Sequence, residues 1–182
     1  MIGDAVVGWL VTALLGGVGC AHLVGALRST APLVRADALL HSLMCVAMAV
    51  MVWPWGVLAP MWPQVVVFGG AGAWYTAQAL VIVARGDLPL RVAAVPSAHA
   101  AGMFAMVWML VGMAAHEHGH ATPAPVSFTA ALLGLVMVVL AGWWVAKAWP
   151  LLRAAPHRRH GWTPLAHAAV HGVMAGMVLI MR

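Results

Sequence analysis

Six long apolar runs, separated by short segments rich in Arg, Pro and Gly, constrain the fold of this 182-residue chain more than any other feature. A hydrocarbon layer about 30 Å thick requires roughly 20 apolar residues per helix, and each run is close to that length. Because 64% of the residues are hydrophobic and only 7% are charged, the charges are too few to cover a soluble domain of this size. The pattern predicts an all-α fold, a six-helix transmembrane bundle that forms a single membrane domain over 1–182. The helices are predicted at about 4–27, 37–53, 64–84, 92–115, 127–149 and 164–181.

The positions of the basic side chains predict how this bundle is oriented. Eight of the nine Lys and Arg residues lie in or beside the first, third and fifth linkers: Arg28, Arg35, Arg85, Arg91, Lys147, Arg153, Arg158 and Arg159. Basic linkers stay on the cytoplasmic side, so both termini are expected to face outward, in a multi-pass protein of the bacterial inner membrane. The net positive charge is then a topology signal, and no nucleic-acid partner is expected. The expected partners are the lipid bilayer and either further copies of the chain or a larger membrane complex.

Five histidines lie inside the apolar runs: His22, His41, His99, His167 and His171. Ionisable residues are costly in a bilayer and usually mark a site that binds or conducts something. With the predicted orientation, four of them, His22, His41, His99 and His171, lie in the cytoplasmic half of the membrane, roughly 6–11 Å from the helix ends. Asp37 and His167 each precede the next histidine by four residues and share its helix face. We therefore expect one buried layer of imidazoles with a carboxylate beside it.

Methionines follow these histidines at helical spacing, as in Asp37-x3-His41-x2-Met44-x3-Met48 and His167-x3-His171-x2-Met174. Imidazole and thioether ligands together favour copper, especially Cu(I), because soft sulfur selects a soft ion. The sequence thus predicts a transition-metal site, with copper as the expected ion. Its predicted ligands and close neighbours are His22, Asp37, His41, Met44, Met48, His99, Met103, His167, His171 and Met174. The histidines of the fourth linker, His116, His118 and His120, predict a segment that captures metal at the outer surface.

Other interpretations of the same residues stay open. Zinc would use the histidines with Asp37 and Cys20, and a b-type haem would use two facing histidines. Asp37 and the histidines are also suited to a proton or ion relay, or to holding helices together in a structural subunit of a larger complex. The sequence contains no Gly-rich phosphate loop, no Gly-x-Ser-x-Gly and no His-Glu-x-x-His, so it names no catalytic residues and leaves open whether the protein is an enzyme.

The intramembrane motif His41-Ser-Leu-Met44 resembles the His-x-x-Met motifs of a family of small bacterial polytopic membrane proteins of unknown function. This resemblance covers most of the chain and implies no established activity. Asp37-x3-His41 also resembles half of the copper-binding motif in the membrane subunit of particulate methane and ammonia monooxygenases. Met44-x3-Met48 is similar to the Met-x3-Met selectivity motif of eukaryotic copper uptake channels. Both resemblances imply copper as the ion.

Overall fold

The computed structural model describes residues 5–86, 89–117, 124–154 and 162–180, and these residues fold into six α-helices. The helices are α1 (Ala5–Arg28), α2 (Pro32–Met51), α3 (Met61–Arg85), α4 (Leu90–Glu117), α5 (Ala124–Ala154) and α6 (Trp162–Ile180). A short 3-10 helix, Pro54–Leu58, follows α2. No β-strand occurs in these residues. The predicted all-α class and the count of six helices are confirmed.

Two helix boundaries differ from the predicted ones by five residues, the others by no more than three, and proline is involved in both large differences. α2 begins at Pro32 rather than at residue 37, because proline at the first helical position has the backbone angle of a helix and no N–H to leave unpaired. α5 continues through Pro150 to Ala154 instead of ending at residue 149. Pro150 lies near the C-terminal end of α5, so only a short helical segment follows the hydrogen bond that proline removes.

Five of the described helices are long and apolar enough to cross a membrane: α1, α2, α3, α4 and α5. The described apolar part of α6, Thr163–Leu179, is shorter. Several such helices in one chain indicate a multi-pass membrane protein. Membrane crossing by all six helices, and the outward location of both termini, stay predictions.

The helices group into two compact units. The first contains α1, α2, the 3-10 helix, α5 and α6. In it α1 packs on α2, α5 packs on α6, and α1 also contacts α6. Small residues allow its helices to lie close together. For example, a Cβ placed on Gly19 of α1 would lie 3.1 Å from the Cβ of Cys45 in α2. The expectation of one membrane domain stays a prediction.

The N-terminal end of α1 is held to the segment after α2 by Trp53. The indole N–H of Trp53 donates to the hydroxyl of Thr12 at 3.1 Å, and its ring packs edge-on against Trp9 with centroids 4.9 Å apart. Gly8 lies against the same indole, 3.7 Å from where a Cβ would stand. These contacts keep α1 and α2 paired at the end of the hairpin that is remote from Arg28.

The second unit is the hairpin of α3 and α4. Gly72 of α3 faces the ring of Phe104 in α4, and a Cβ at Gly72 would come within 2.9 Å of that ring. In a lipid environment the hydrophobic effect contributes little to helix association, so helices associate mainly through close packing. Small residues such as glycine make that close packing possible. The buried side of α4 carries methionines at helical spacing, and Met103, Met106 and Met109 are fully buried.

Candidate functional site

Three histidine rings from three helices meet in the first unit. His22 of α1 lies 5.3 Å from His41 of α2 and 5.2 Å from His167 of α6, measured between ring centroids. The rings of His41 and His167 are 4.8 Å apart. His41 and His167 are buried, with 1% and 4% of their surface exposed, whereas His22 is half-buried. The contacts of α1 with both α2 and α6 bring these residues together, and we call them the histidine cluster.

A main-chain hydrogen bond sets the orientation of His41. Its Nδ1 lies 2.8 Å from the main-chain oxygen of Asp37, one turn earlier in α2. A carbonyl oxygen only accepts, so Nδ1 must carry the proton and donate it, and the neutral ring keeps its lone pair on Nε2. The carboxylate of Asp37 lies further away, with Oδ1 at 3.5 Å from the same Nδ1. This is the arrangement found in metal-binding histidines, which donate their other ring N–H to a carbonyl or a carboxylate.

His171 repeats this arrangement on α6. Its Nδ1 lies 2.7 Å from the main-chain oxygen of His167, so it too donates to the carbonyl one turn earlier and keeps the Nε2 lone pair. His171 is 1% exposed. The spacing Asp37-x3-His41 and His167-x3-His171, noted in the sequence, therefore corresponds to the same hydrogen bond in both helices.

Trp144 of α5 forms a wall of the cluster that sequence reasoning missed. Its ring stacks on His167 with centroids 4.5 Å apart and 29° between the planes. Only 5% of Trp144 is exposed. No signal in the sequence pointed to this role, because Trp144 lies three residues before Lys147, where membrane tryptophans are common.

The separations between the three ring centroids lie in the range expected for imidazoles arranged around one ion. A ligand nitrogen lies about 2.0–2.1 Å from zinc, so each ring centroid lies about 3.2 Å from the ion, and two rings at a tetrahedral angle lie about 5.2 Å apart. The measured separations are 4.8, 5.2 and 5.3 Å. Ring nitrogens of His41 and His167 lie within 4.8 Å of each other. The buried Nε2 of His22 has no hydrogen-bond partner within the described part of the chain.

The methionines predicted to accompany the histidines are buried in the same helices. Met44 and Met48 of α2 and Met174 of α6 are each no more than 1% exposed. Met44 and Met174 follow His41 and His171 by three residues, so each shares a helix face with its histidine. Their burial agrees equally with packing, and their role as ligands stays a prediction.

The remaining predicted residues belong to α4 or to the segment that follows it. His99 and Met103 belong to α4 of the second unit, where His99 stacks on Tyr75 with centroids 5.2 Å apart and is buried. Their assignment to the metal site stays a prediction. His116 is in the last turn of α4. His118 and His120 lie outside the described residues, so the outer capture segment also stays a prediction.

A cavity of about 670 Å³ leads to the histidine cluster. His22 and His167 form part of its wall, together with the exposed thiol of Cys20 and the side chain of Asp37. Arg28, Val34 and Thr163, all near helix ends, line it as well. Two of the three clustered histidines are therefore reached from this cavity, while His41 lies behind Asp37.

Comparison with known proteins identifies relatives of the chain. The uncharacterised proteins Rv0970 of Mycobacterium tuberculosis (strain H37Rv) and Mb0995 of Mycobacterium bovis are each 36% identical to it over 115 residues, which is 62% of this chain and 52% of the relative. The chain thus spans about half the length of the curated relatives it matches. No solved structure matches the chain. A family model described as a domain of unknown function, DUF5134, matches residues 33–181, from α2 through α6. The resemblance to an uncharacterised family is thereby confirmed, and the chain belongs to the DUF5134 family.

Proposed function

We propose that this chain is a bacterial inner-membrane protein that binds one transition-metal ion, copper, at the histidine cluster. The observation that carries the proposal is the mutual contact of His22, His41 and His167, with ring separations that suit three ligands of one ion. The sequence-based orientation is kept, so the Arg28 side of the protein faces the cytoplasm and both termini face outward.

A bound ion explains why three imidazoles from three helices pack against one another. Buried polar groups are costly unless they are hydrogen-bonded or coordinate a metal. His41 is held as the tautomer that carries its proton on Nδ1, and Asp37 supplies the main-chain acceptor and a nearby carboxylate behind it. His22 brings a buried Nε2 to the same group.

Copper is favoured over zinc by the sulfur groups on the same helices. Met44, Met48 and Met174 provide buried thioethers within three turns of the clustered histidines, and thioether sulfur prefers Cu(I). Zinc would instead recruit the carboxylate of Asp37 as a fourth ligand. A b-type haem is less well suited, because two axial imidazoles on one iron lie about 6 Å apart between centroids with the macrocycle between them. The third ring, at about 5 Å from both, occupies that space.

A proton or ion relay is a second candidate, and one specific observation favours it. Asp37 lines the cavity and contacts His41, whose ring contacts His167. A carboxylate followed by imidazoles in contact is the usual composition of an intramembrane proton path. Metal binding and a relay are separated by whether the purified protein holds an ion.

The test uses the full chain purified in detergent, with bound metals measured by mass spectrometry and a visible spectrum recorded. His41→Ala and His167→Ala are compared with Met137→Leu, a conservative change at a buried methionine of α5. Stoichiometric copper in the wild type and in Met137→Leu, lost in both histidine variants, is the expected result. A Soret band in the visible spectrum would show that the bound group is haem and not copper. A protein with neither metal nor chromophore would refute the metal site and leave the proton or ion relay as the remaining candidate.

A further inference from the structure

The cavity beside the histidine cluster runs inward from the end of α1. Arg28 is the last residue of α1, and Cys20 lies about 12 Å deeper along the same helix. Val34 and Thr163 lie near the first turns of α2 and α6, and His167 lies one turn beyond Thr163. The cavity therefore extends from these three helix ends to the histidines.

The cavity is large, and its mostly apolar wall carries a few polar side chains. At about 30 Å³ per molecule, 670 Å³ corresponds to roughly twenty waters, far more than one bound ion requires. Cavities stay dry when their walls are apolar, and water fills those that offer several polar partners. Here the wall includes a guanidinium, a carboxylate and two imidazoles, from Arg28, Asp37, His22 and His167.

We propose that this cavity is a hydrated access route by which a cation reaches the histidine cluster from the Arg28 side of the membrane. The identity of the cation rests on the proposed function, whereas the hydration and the side of opening rest on the cavity alone. Water along the route reduces the desolvation cost of bringing an ion to a site inside the apolar layer. The carboxylate of Asp37 lines the cavity together with Arg28 and lies beside His41.

The two cysteines of the chain provide a direct test. Cys20 is exposed in the cavity, whereas Cys45 is 1% exposed in the core of the first unit. A charged, membrane-impermeant methanethiosulfonate reacts only with thiolates that water reaches. The full chain is reconstituted in liposomes and labelled from each side, with Cys20→Ser and Cys45→Ser as the matched pair. Labelling is then repeated after loading with Cu(I), and the bound copper is measured in the same samples.

We expect labelling of wild type and Cys45→Ser at a rate about 100-fold above that of Cys20→Ser, because only Cys20 is in contact with water. Labelling should occur from one side only, and Cu(I) should slow it about tenfold or more. Reaction with a membrane-permeant uncharged maleimide but not with the charged reagent would place Cys20 in lipid and overturn the route. Copper that binds without protecting Cys20 would also overturn it, with the proposed function intact. A wild type that labels rapidly but holds no copper would refute the proposed function and still support a hydrated cavity.

Discussion

Replacing Asp37 with Asn separates a supporting role for this residue from direct coordination. Asp37 meets His41 in two ways: its main-chain oxygen accepts from Nδ1 at 2.8 Å, and its carboxylate Oδ1 lies 3.5 Å from the same nitrogen. Asparagine keeps the main chain and nearly the same shape, so only the charge and the longer contact are lost. His41 should keep its tautomer, because the stronger hydrogen bond remains.

These distances determine how large the effect should be. Losing the outer partner of a metal-binding histidine typically weakens metal binding 10- to 100-fold. Since the 2.8 Å hydrogen bond survives in Asp37→Asn, we expect the lower end of that range, about tenfold, equivalent to about 1.4 kcal/mol. His41→Ala removes a proposed ligand and should exceed the upper end, about 100-fold.

The measurement is a competition titration of each detergent-purified variant against a chromogenic Cu(I) chelator, with Met137→Leu as the control for handling and folding. An Asp37→Asn affinity as low as that of His41→Ala would mean that the carboxylate binds the ion directly. An unchanged affinity in Asp37→Asn, beside a large loss in His41→Ala, would refute a role of the Asp37 carboxylate behind His41.

Two further predictions concern the soft ligands and the helix packing. Met44→Leu should lower Cu(I) affinity about tenfold while leaving Zn(II) affinity unchanged, because only the soft ion uses the thioether. Met137→Leu, an equally buried methionine on α5, should change neither affinity in the same titration, and equal losses in both variants would point to packing instead. Gly19→Ala should lower the thermal unfolding midpoint in detergent by an amount equivalent to about 1 kcal/mol, because its Cβ would stand 3.1 Å from that of Cys45. Gly17→Ala, with nothing within 4 Å, should be neutral or stabilising, and a larger loss there than at Gly19 would contradict the packing of α1 on α2.

The helices were predictable because their cause is local. A run of about 20 apolar residues in a bilayer must satisfy its backbone hydrogen bonds within itself, and a helix does this without reference to any other segment. The helix boundaries that differ most from the prediction have local causes as well. Proline at a first helical position moved the start of α2, and Pro150 proved compatible with the last turns of α5. The 3-10 helix after α2 had no distinct periodic pattern in its five residues.

The candidate site was predictable only in part. The i−4 hydrogen bonds of His41 and His171 follow from spacing within one helix. The contact of His22 with His41 and His167 does not, because spacing along a helix says nothing about how that helix is rotated against its neighbours. Trp144 on His167 was missed for the same reason, since α5 reaches the cluster only through its packing on α6.

The sequence by itself thus determined the protein class, the number of helices and the identity of the polar residues inside them, since hydropathy and helical spacing act residue by residue. The tertiary structure decided that the rings of His22, His41 and His167 are in contact, that Trp144 stacks on His167, and that a cavity extends to them from the end of α1. Small residues such as Gly19 set how closely the helices approach and how they are rotated. That is a property of pairs of helices, which no single segment of sequence contains.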